Sequence, residues 1–253
     1  MASTCAKCAL PLTMDIEPDS DDEVTAMPGS SSAQPSQSNT VPDDVTLPCN
    51  DHFHWECLVD SYELDKCPKC NANVLTPSNQ ILVNLHNEGG RQEGIDIFPI
   101  LKEESYLHAY PEERKCRAFL EFCREGDHRA VADLLNSCAE DDEDDEPSKG
   151  ADEILRYQDT IGEMESGLHA AAANGHREVA WLLLLLASNL PEMEFPALVY
   201  QEAAALSVMR EDQEGKEDIR GLKDSRGRTA EDVAREVGII WNGWIGNGRL
   251  ALP

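Results

Sequence analysis

The sequence predicts a multidomain chain: a small α+β module in residues 1–72, a connector in 73–111, and a mainly α region built from repeats in 112–250. Three observations predict it. Cysteines and histidines come in short pairs within the first part, as Cys5-x2-Cys8, Cys49 with His54-x2-Cys57, and Cys67-x2-Cys70. Between the first pair and the rest, residues 11–44 are Ser, Pro, Asp, Gln and Thr with scarcely any large apolar side chain. From residue 112 onward apolar residues recur at helical spacing, and a helix–Gly–helix pattern returns.

Charge bounds the partners. The 253 residues hold 21 Lys and Arg against 49 Asp and Glu, for a net charge of −28. Binding phosphate or anionic lipid needs clustered cations. No nucleic acid and no membrane partner is therefore expected. Much of the acidity sits in residues 19–23 and 140–146, where solubility is the plainer role than recruitment of a basic partner. The N-terminus has no basic stretch followed by a long apolar core, so the chain is read as not secreted, in the cytoplasm or nucleus. The strongest apolar run, residues 179–187, is far short of the roughly 20 needed to cross a bilayer.

Six of the nine cysteines fall in the pairs above, a metal-type spacing in a reducing compartment. Cys5, Cys8, Cys49, His54, Cys57, Cys67 and Cys70 need one more ligand to complete eight, which is two tetrahedral zinc sites and hence two Zn2+ ions. The apolar-poor stretch cannot bury enough surface to offset its ordering entropy, so 11–44 is expected to be a disordered insert. It puts 40 residues between Cys8 and Cys49. Doubling a flexible loop costs only ~0.6 kcal/mol, whereas structural zinc contributes ~10–16 kcal/mol in finger peptides, so the metal prevails. Without the insert the module is too small for a self-sufficient core and should need metal to fold. A short helix is expected over residues 58–66. In the connector, residues 74–85, which contain Ile81-Leu-Val-Asn-Leu85, predict a strand packed on the module, and Asn87-Glu-Gly-Gly-Arg91 a turn.

The ligand order Cys5-x2-Cys8, Cys49, a fourth ligand, His54-x2-Cys57, Cys67-x2-Cys70 resembles the RING-H2 family of zinc fingers over about residues 5–71. The resemblance implies a cross-brace: Cys5, Cys8, His54 and Cys57 on one zinc, and Cys49, the fourth ligand, Cys67 and Cys70 on the other. Family spacing puts Asp51 in the fourth place; ligand chemistry favours His52, one residue later. Only one of the two is a ligand. With all positions filled no open site remains to activate water, and no catalytic residue is assigned. Cys116, Cys123 and Cys138 lie on helical segments and read as buried small hydrophobes.

RING modules bind an E2 enzyme carrying ubiquitin and hold its thioester in a reactive arrangement, a positioning effect. By resemblance, Pro68 matches the E2-contacting proline, and Tyr62 is either an aromatic of the same groove or a core residue of the short helix. Lys7 stands where a large apolar residue is usual, and Asn71 where an Arg often bridges E2 and ubiquitin. Asn lacks the five-donor fork of Arg.

Three segments of the second part align: 119–135, 168–184 and 224–238. Leu168-His169-x-Ala-Ala-x-x-Gly175-His176-x-x-Val179 and Asp224-x-x-Gly227-x-Thr229-Ala230 resemble ankyrin repeats. Alanines let two antiparallel helices approach, and a Gly at the end of the first permits a left-handed turn. The spacings of 49 residues from Gly126 to Gly175 and 63 from Gly175 to Gly238 exceed the ~33 of a plain repeat. Inserts near 139–153 and 191–222 account for the excess, the second with an extra helix within 195–210. Trp241 and Trp244 are expected to cap about three repeats, and His169 and His176 to hydrogen-bond between neighbouring units. The combined resemblance implies a RING-type E3 ubiquitin ligase that recruits a protein substrate through ankyrin repeats. The alternative is a zinc-stabilised scaffold that binds partners without promoting transfer, so enzyme activity stays open.

Overall fold

The computed structural model describes residues 4–15, 40–61, 65–138 and 149–252. The chain divides into two compact units, residues 1–106 and 107–253. Among the described residues no helix is long and apolar enough to cross a membrane.

The first unit opens with β1 (Thr13–Asp15) paired antiparallel to β2 (Thr40–Pro42), Thr13 facing Pro42. The two ends of the stretch expected to be disordered over 11–44 thus pair with each other; residues 16–39 lie outside the described residues. β3 (Asp44–Thr46) and β4 (His52–Phe53) form a hairpin, followed by α1 (Trp55–Val59). It shares only residues 58–59 with the helix expected over 58–66: 60–61 form a turn, and 62–64 lie outside the described residues. The amide of Trp55 donates to Oδ1 of Asp43 at 3.1 Å, a cap supplied from twelve residues away.

The connector is no connector for most of its length. β5 (Leu82–Asn87) pairs with β3 and turns through Glu88-Gly89 into β6 (Gly90–Asp96), giving one antiparallel sheet in the order β4-β3-β5-β6. The register slips between Val83 and Leu85, and Gly94, at φ +68°, supplies the left-handed backbone opposite the slip. Val45, Phe53 and Val83 point to one face and meet Leu47, Leu58, Val74, Ile81 and Ile97 in a core of their own. α2 (Phe98–Ala109) follows, its first amide capped by Asp96, and its Leu101 joins that core.

The second unit carries α3 (Arg114–Glu125), α4 (His128–Ser137), α5 (Ala151–Leu155), α6 (Gly167–Asn174), α7 (Arg177–Ala187), α8 (Ala197–Ala205) and α9 (Ala230–Val237). α3 turns onto α4, and α6 onto α7, through Gly126 (φ 83°) and Gly175 (φ 78°). Their left-handed conformation is the one a side chain opposes by about 1–2 kcal/mol. α6 packs between α3 and α9, and α4 against α7. The approach of α6 to α3 is close enough that a Cβ on Gly167 would sit 2.7 Å from the Phe119 ring. Ser166 and Thr229 cap α6 and α9 with reciprocal bonds from His169 and Asp232. Trp241 is fully buried, and its indole N–H donates to the carbonyl of Ala172 at 2.8 Å, tying the chain's end to α6.

The two expected inserts differ from plain loops. Residues 139–148, with the acidic run, lie outside the described residues, but α5 begins at Ala151 and buries Ile154 and Leu155. Tyr157 then donates to Glu113 at 2.7 Å. In the second, α8 stands where an extra helix was expected, and Val208, Ile219 and Leu222 join the core.

Candidate metal centre

Two knuckles of one design frame the site. The amide of Ala9 bonds to the carbonyl of Cys5, and the amide of Cys5 to the carbonyl of Leu10, both at 2.9 Å. The amide of Asn71 bonds to Cys67, and that of Cys67 to Ala72, again at 2.9 Å. Ala9 (φ 62°) and Asn71 (φ 58°) take the left-handed turn just after the second cysteine of each pair. Bridges between Thr4 and Pro11 and between Lys66 and Asn73 close the knuckles at the same offsets. The β3–β4 hairpin brings a third turn: Asn50, at φ 61°, donates to the carbonyl of Leu47 and presents Cys49 and Asp51 on either side of itself. His54 leaves β4 and Cys57 rides on α1.

These elements gather two sets of four. Ligand atoms of Cys5, Cys8, His54 and Cys57 lie within 4.8 Å of one another, and so do those of Cys49, Asp51, Cys67 and Cys70. The sets interleave along the chain, first with third and second with fourth. Either can hold a metal ion.

The structure separates Asp51 from His52. Oδ2 of Asp51 stands 3.5 Å from the Cys49 sulfur and 3.3 Å from that of Cys67. His52 is the correction to the ligand set: its Nδ1 faces Asp44 at 2.8 Å and Thr46 at 3.2 Å, away from the sulfurs. The reason is strand alternation. Phe53 enters the core, so His52, its neighbour on β4, takes the opposite face.

Support comes from residues that spacing did not point to. Lys69 holds Oδ1 of Asp51 at 2.8 Å. His54 turns Nδ1 toward Cys8 (3.3 Å) and Cys57 (3.9 Å) while Nε2 meets the carbonyl of Pro11 at 2.7 Å. A proton on Nε2 leaves Nδ1 free to ligate, the outer bond fixing tautomer and ring orientation together.

The electrostatics belong to crowded, partly dry sulfurs. Burial pushes the Cys57 thiol up to about 12, and the sulfurs of Cys5 and Cys8 add to it. Burial likewise pushes Cys67 up to about 12, against the amides of Cys70 and Lys69. It raises Cys49 too. On Cys5 burial is outweighed by the amides of Cys8, His54 and Lys7, which bring the thiol to about 6. The Lys69 ammonium, then the Cys70 thiol, hold the Asp51 carboxyl well below the usual carboxylate range. Thiols as basic as Cys57 and Cys67 ionise when a cation takes them, so metal uptake at neutral pH releases protons.

The chain matches no protein-family model, no curated protein and no solved structure.

Of the remaining residues singled out in the sequence, Pro68 is half-buried beside Cys67, Asn71 is exposed in its knuckle turn, and Lys7 pairs with Asp60 at 3.5 Å. Tyr62 lies outside the described residues. Cys116 and Cys123 are fully buried in the second unit, where burial pushes the Cys116 thiol up to about 12 and Cys123 higher still. Neither is poised as a nucleophile. His169 Nε2–H donates to the carbonyl of Arg228 at 3.0 Å, and its Nδ1 accepts from Ser166 Oγ at 2.8 Å. His176 Nε2–H donates to the carbonyl of Arg124 at 2.9 Å. Both histidines join one helix pair to the next.

Proposed function

We propose that the chain is a RING-type E3 ubiquitin-protein ligase. Its two metal sites hold zinc, its module docks an E2 carrying ubiquitin, and its helix pairs form an ankyrin stack that recruits the substrate. The observation that carries this reading is the interleaving of two complete four-ligand sets, Cys3His and Cys3Asp, within one small core. Sulfur-rich tetrahedral sets suit zinc, and four protein ligands leave the ion a structural part rather than an activator of water. The module's work is then to present a rigid surface. Pro68 lies on that surface beside Cys67.

The second unit supports the recruiting arm. Gly-turned helix pairs stack with α6 between α3 and α9, and His169 and His176 tie successive pairs through backbone carbonyls. Stacked repeats offer extended binding surfaces and rarely do chemistry.

One observation favours a second reading, a zinc-dependent adaptor without transfer activity. Lys7, at the position where an apolar E2 contact is expected, is exposed and ion-paired with Asp60 of the turn after α1. Autoubiquitination with a panel of E2 enzymes separates the two. The ligase reading expects ubiquitin chains with at least one E2, lost in Pro68→Ala. Silence with every E2, together with no E2-induced NMR shifts near Pro68, assigns the adaptor role instead.

A further inference from the structure

The insert between α7 and α9 contributes a helix that hides little of itself. Within α8 only Ala203 is buried, while Leu198 is 73% exposed. Between α8 and α7 runs an apolar groove of about 440 Å³. Trp181, Leu182, Leu198 and Val199 line it, and the exposed carboxylates of Glu178 and Glu202 stand at its rim. Its floor is stiff. The Trp181 ring contacts Trp244 at 4.4 Å and Phe195 at 5.7 Å between centroids, and the Arg249 guanidinium lies over it at 5.5 Å.

We infer that this groove docks an amphipathic helix of a partner protein, its apolar residues seated against Trp181 and Leu198 and its Lys or Arg residues meeting Glu178 and Glu202. Two arguments fix the occupant. The walls are helices whose backbone bonds are already made within themselves, so an extended segment would find no backbone partners there. A helix brings its own. The rim is acidic on a chain of net charge −28, so the complementary occupant is basic. Among the described residues that line the groove, His128, 3.1 Å from Glu202, is the one basic side chain, and Glu178 stays exposed. This goes beyond the ligase reading, since the groove lies wholly in the second unit and its test reads no ubiquitin transfer.

The test is fluorescence anisotropy on the full chain. The probe is a labelled synthetic helix carrying Leu at i, i+3, i+4 and i+7 with Lys elsewhere, beside a twin carrying Glu for Lys. The Lys helix should bind and the Glu twin should not. Leu198→Asp, at an exposed position that the fold does not need, should weaken binding about tenfold or more. The double reversal Glu178→Lys/Glu202→Lys should shift preference toward the Glu twin. A control reversal at Glu88 and Glu93, on the β5–β6 turn and strand, changes net charge equally and should leave binding unchanged. Equal loss from both reversals means attraction to overall charge and overturns the proposal, as does indifference to Leu198→Asp or absence of binding. A concentration-dependent dimer that Leu198→Asp dissolves would assign the groove to a second copy of the chain and overturn it as well.

Discussion

Lys69 donates to Oδ1 of Asp51 at 2.8 Å and thereby turns the other carboxylate oxygen toward the sulfurs of Cys49 and Cys67. A carboxylate left to rotate would not complete a four-ligand set. The arrangement predicts unequal effects of two adjacent substitutions. Asp51→Ala should leave one metal equivalent per chain by elemental analysis, and His52→Ala should leave two. Lys69→Met should keep both ions but weaken the second site about 10–100-fold in chelator competition, the usual cost of losing an outer-shell partner. Loss of an ion from His52→Ala but not from Asp51→Ala would reverse the ligand assignment.

Metal removal should act on one unit and spare the other. The first unit's core of Val45, Phe53, Ile81, Val83 and their neighbours is small and is braced by both ligand sets. The core around Leu168, Leu183, Leu184 and Trp241 contains no ligand. A strong chelator is therefore expected to collapse amide protection across residues 40–61 and 65–96 while α3, α6 and α7 stay protected in hydrogen exchange. Loss of protection in both units together would show that the second does not stand without the metal.

The ligand pairs were legible in the sequence because a metal site demands particular atoms at short spacings. The Asp51/His52 choice was less so. It turns on which face of β4 enters the core, and a two-residue strand shows that only once Phe53 is known to be buried. β6 was invisible: Arg91-Gln-Glu-Gly94 carries no apolar alternation, and its place in the sheet is held by backbone pairing to β5. The start of α1 is not legible in the sequence, because its cap, Asp43, lies twelve residues away. The helix pairs of the second unit were legible through Gly126 and Gly175, since a left-handed turn leaves a mark that packing alone does not. α5 was hidden by the acidic run before it; Lys149 and Tyr157, on either side of it, both reach Glu113.

The joints between helix pairs should be sensitive to single atoms. A Cβ on Gly126 would lie 2.4 Å from Nδ1 of His176, and its φ of +83° already disfavours any side chain. Gly126→Ala is expected to cost about 2 kcal/mol or more, the sum of backbone strain and displacement of the imidazole. His176→Ala removes the bond to the Arg124 carbonyl and should cost about 1–3 kcal/mol. Because the two act on one contact, the double variant should cost less than the two added, which urea unfolding in a double-mutant cycle measures. Simple additivity would mean that the imidazole and the glycine do not share the joint.

The acid stability of the second unit should rest in part on Asp218. Burial alone would raise its carboxyl, but the Arg220 guanidinium at 2.6 Å, with the amides of Arg220 and Asn189, outweighs burial and holds it below the ordinary value. A carboxyl depressed in the folded state contributes stability that is fully present above its unfolded pKa, near 4, and is lost as pH falls through the lower folded value. Asp218→Asn should therefore flatten the acid limb of the stability curve. Arg220→Met leaves a buried carboxylate with only its amides and should cost about 3–5 kcal/mol at neutral pH. That deficit should shrink as pH falls, because a protonated Asp218 no longer needs the cation. Urea midpoints from pH 3 to pH 7 test both variants. A deficit for Arg220→Met that stays constant across this range would show that the guanidinium acts through its bond to the Gly248 carbonyl, at 2.7 Å, and not through the charge of Asp218.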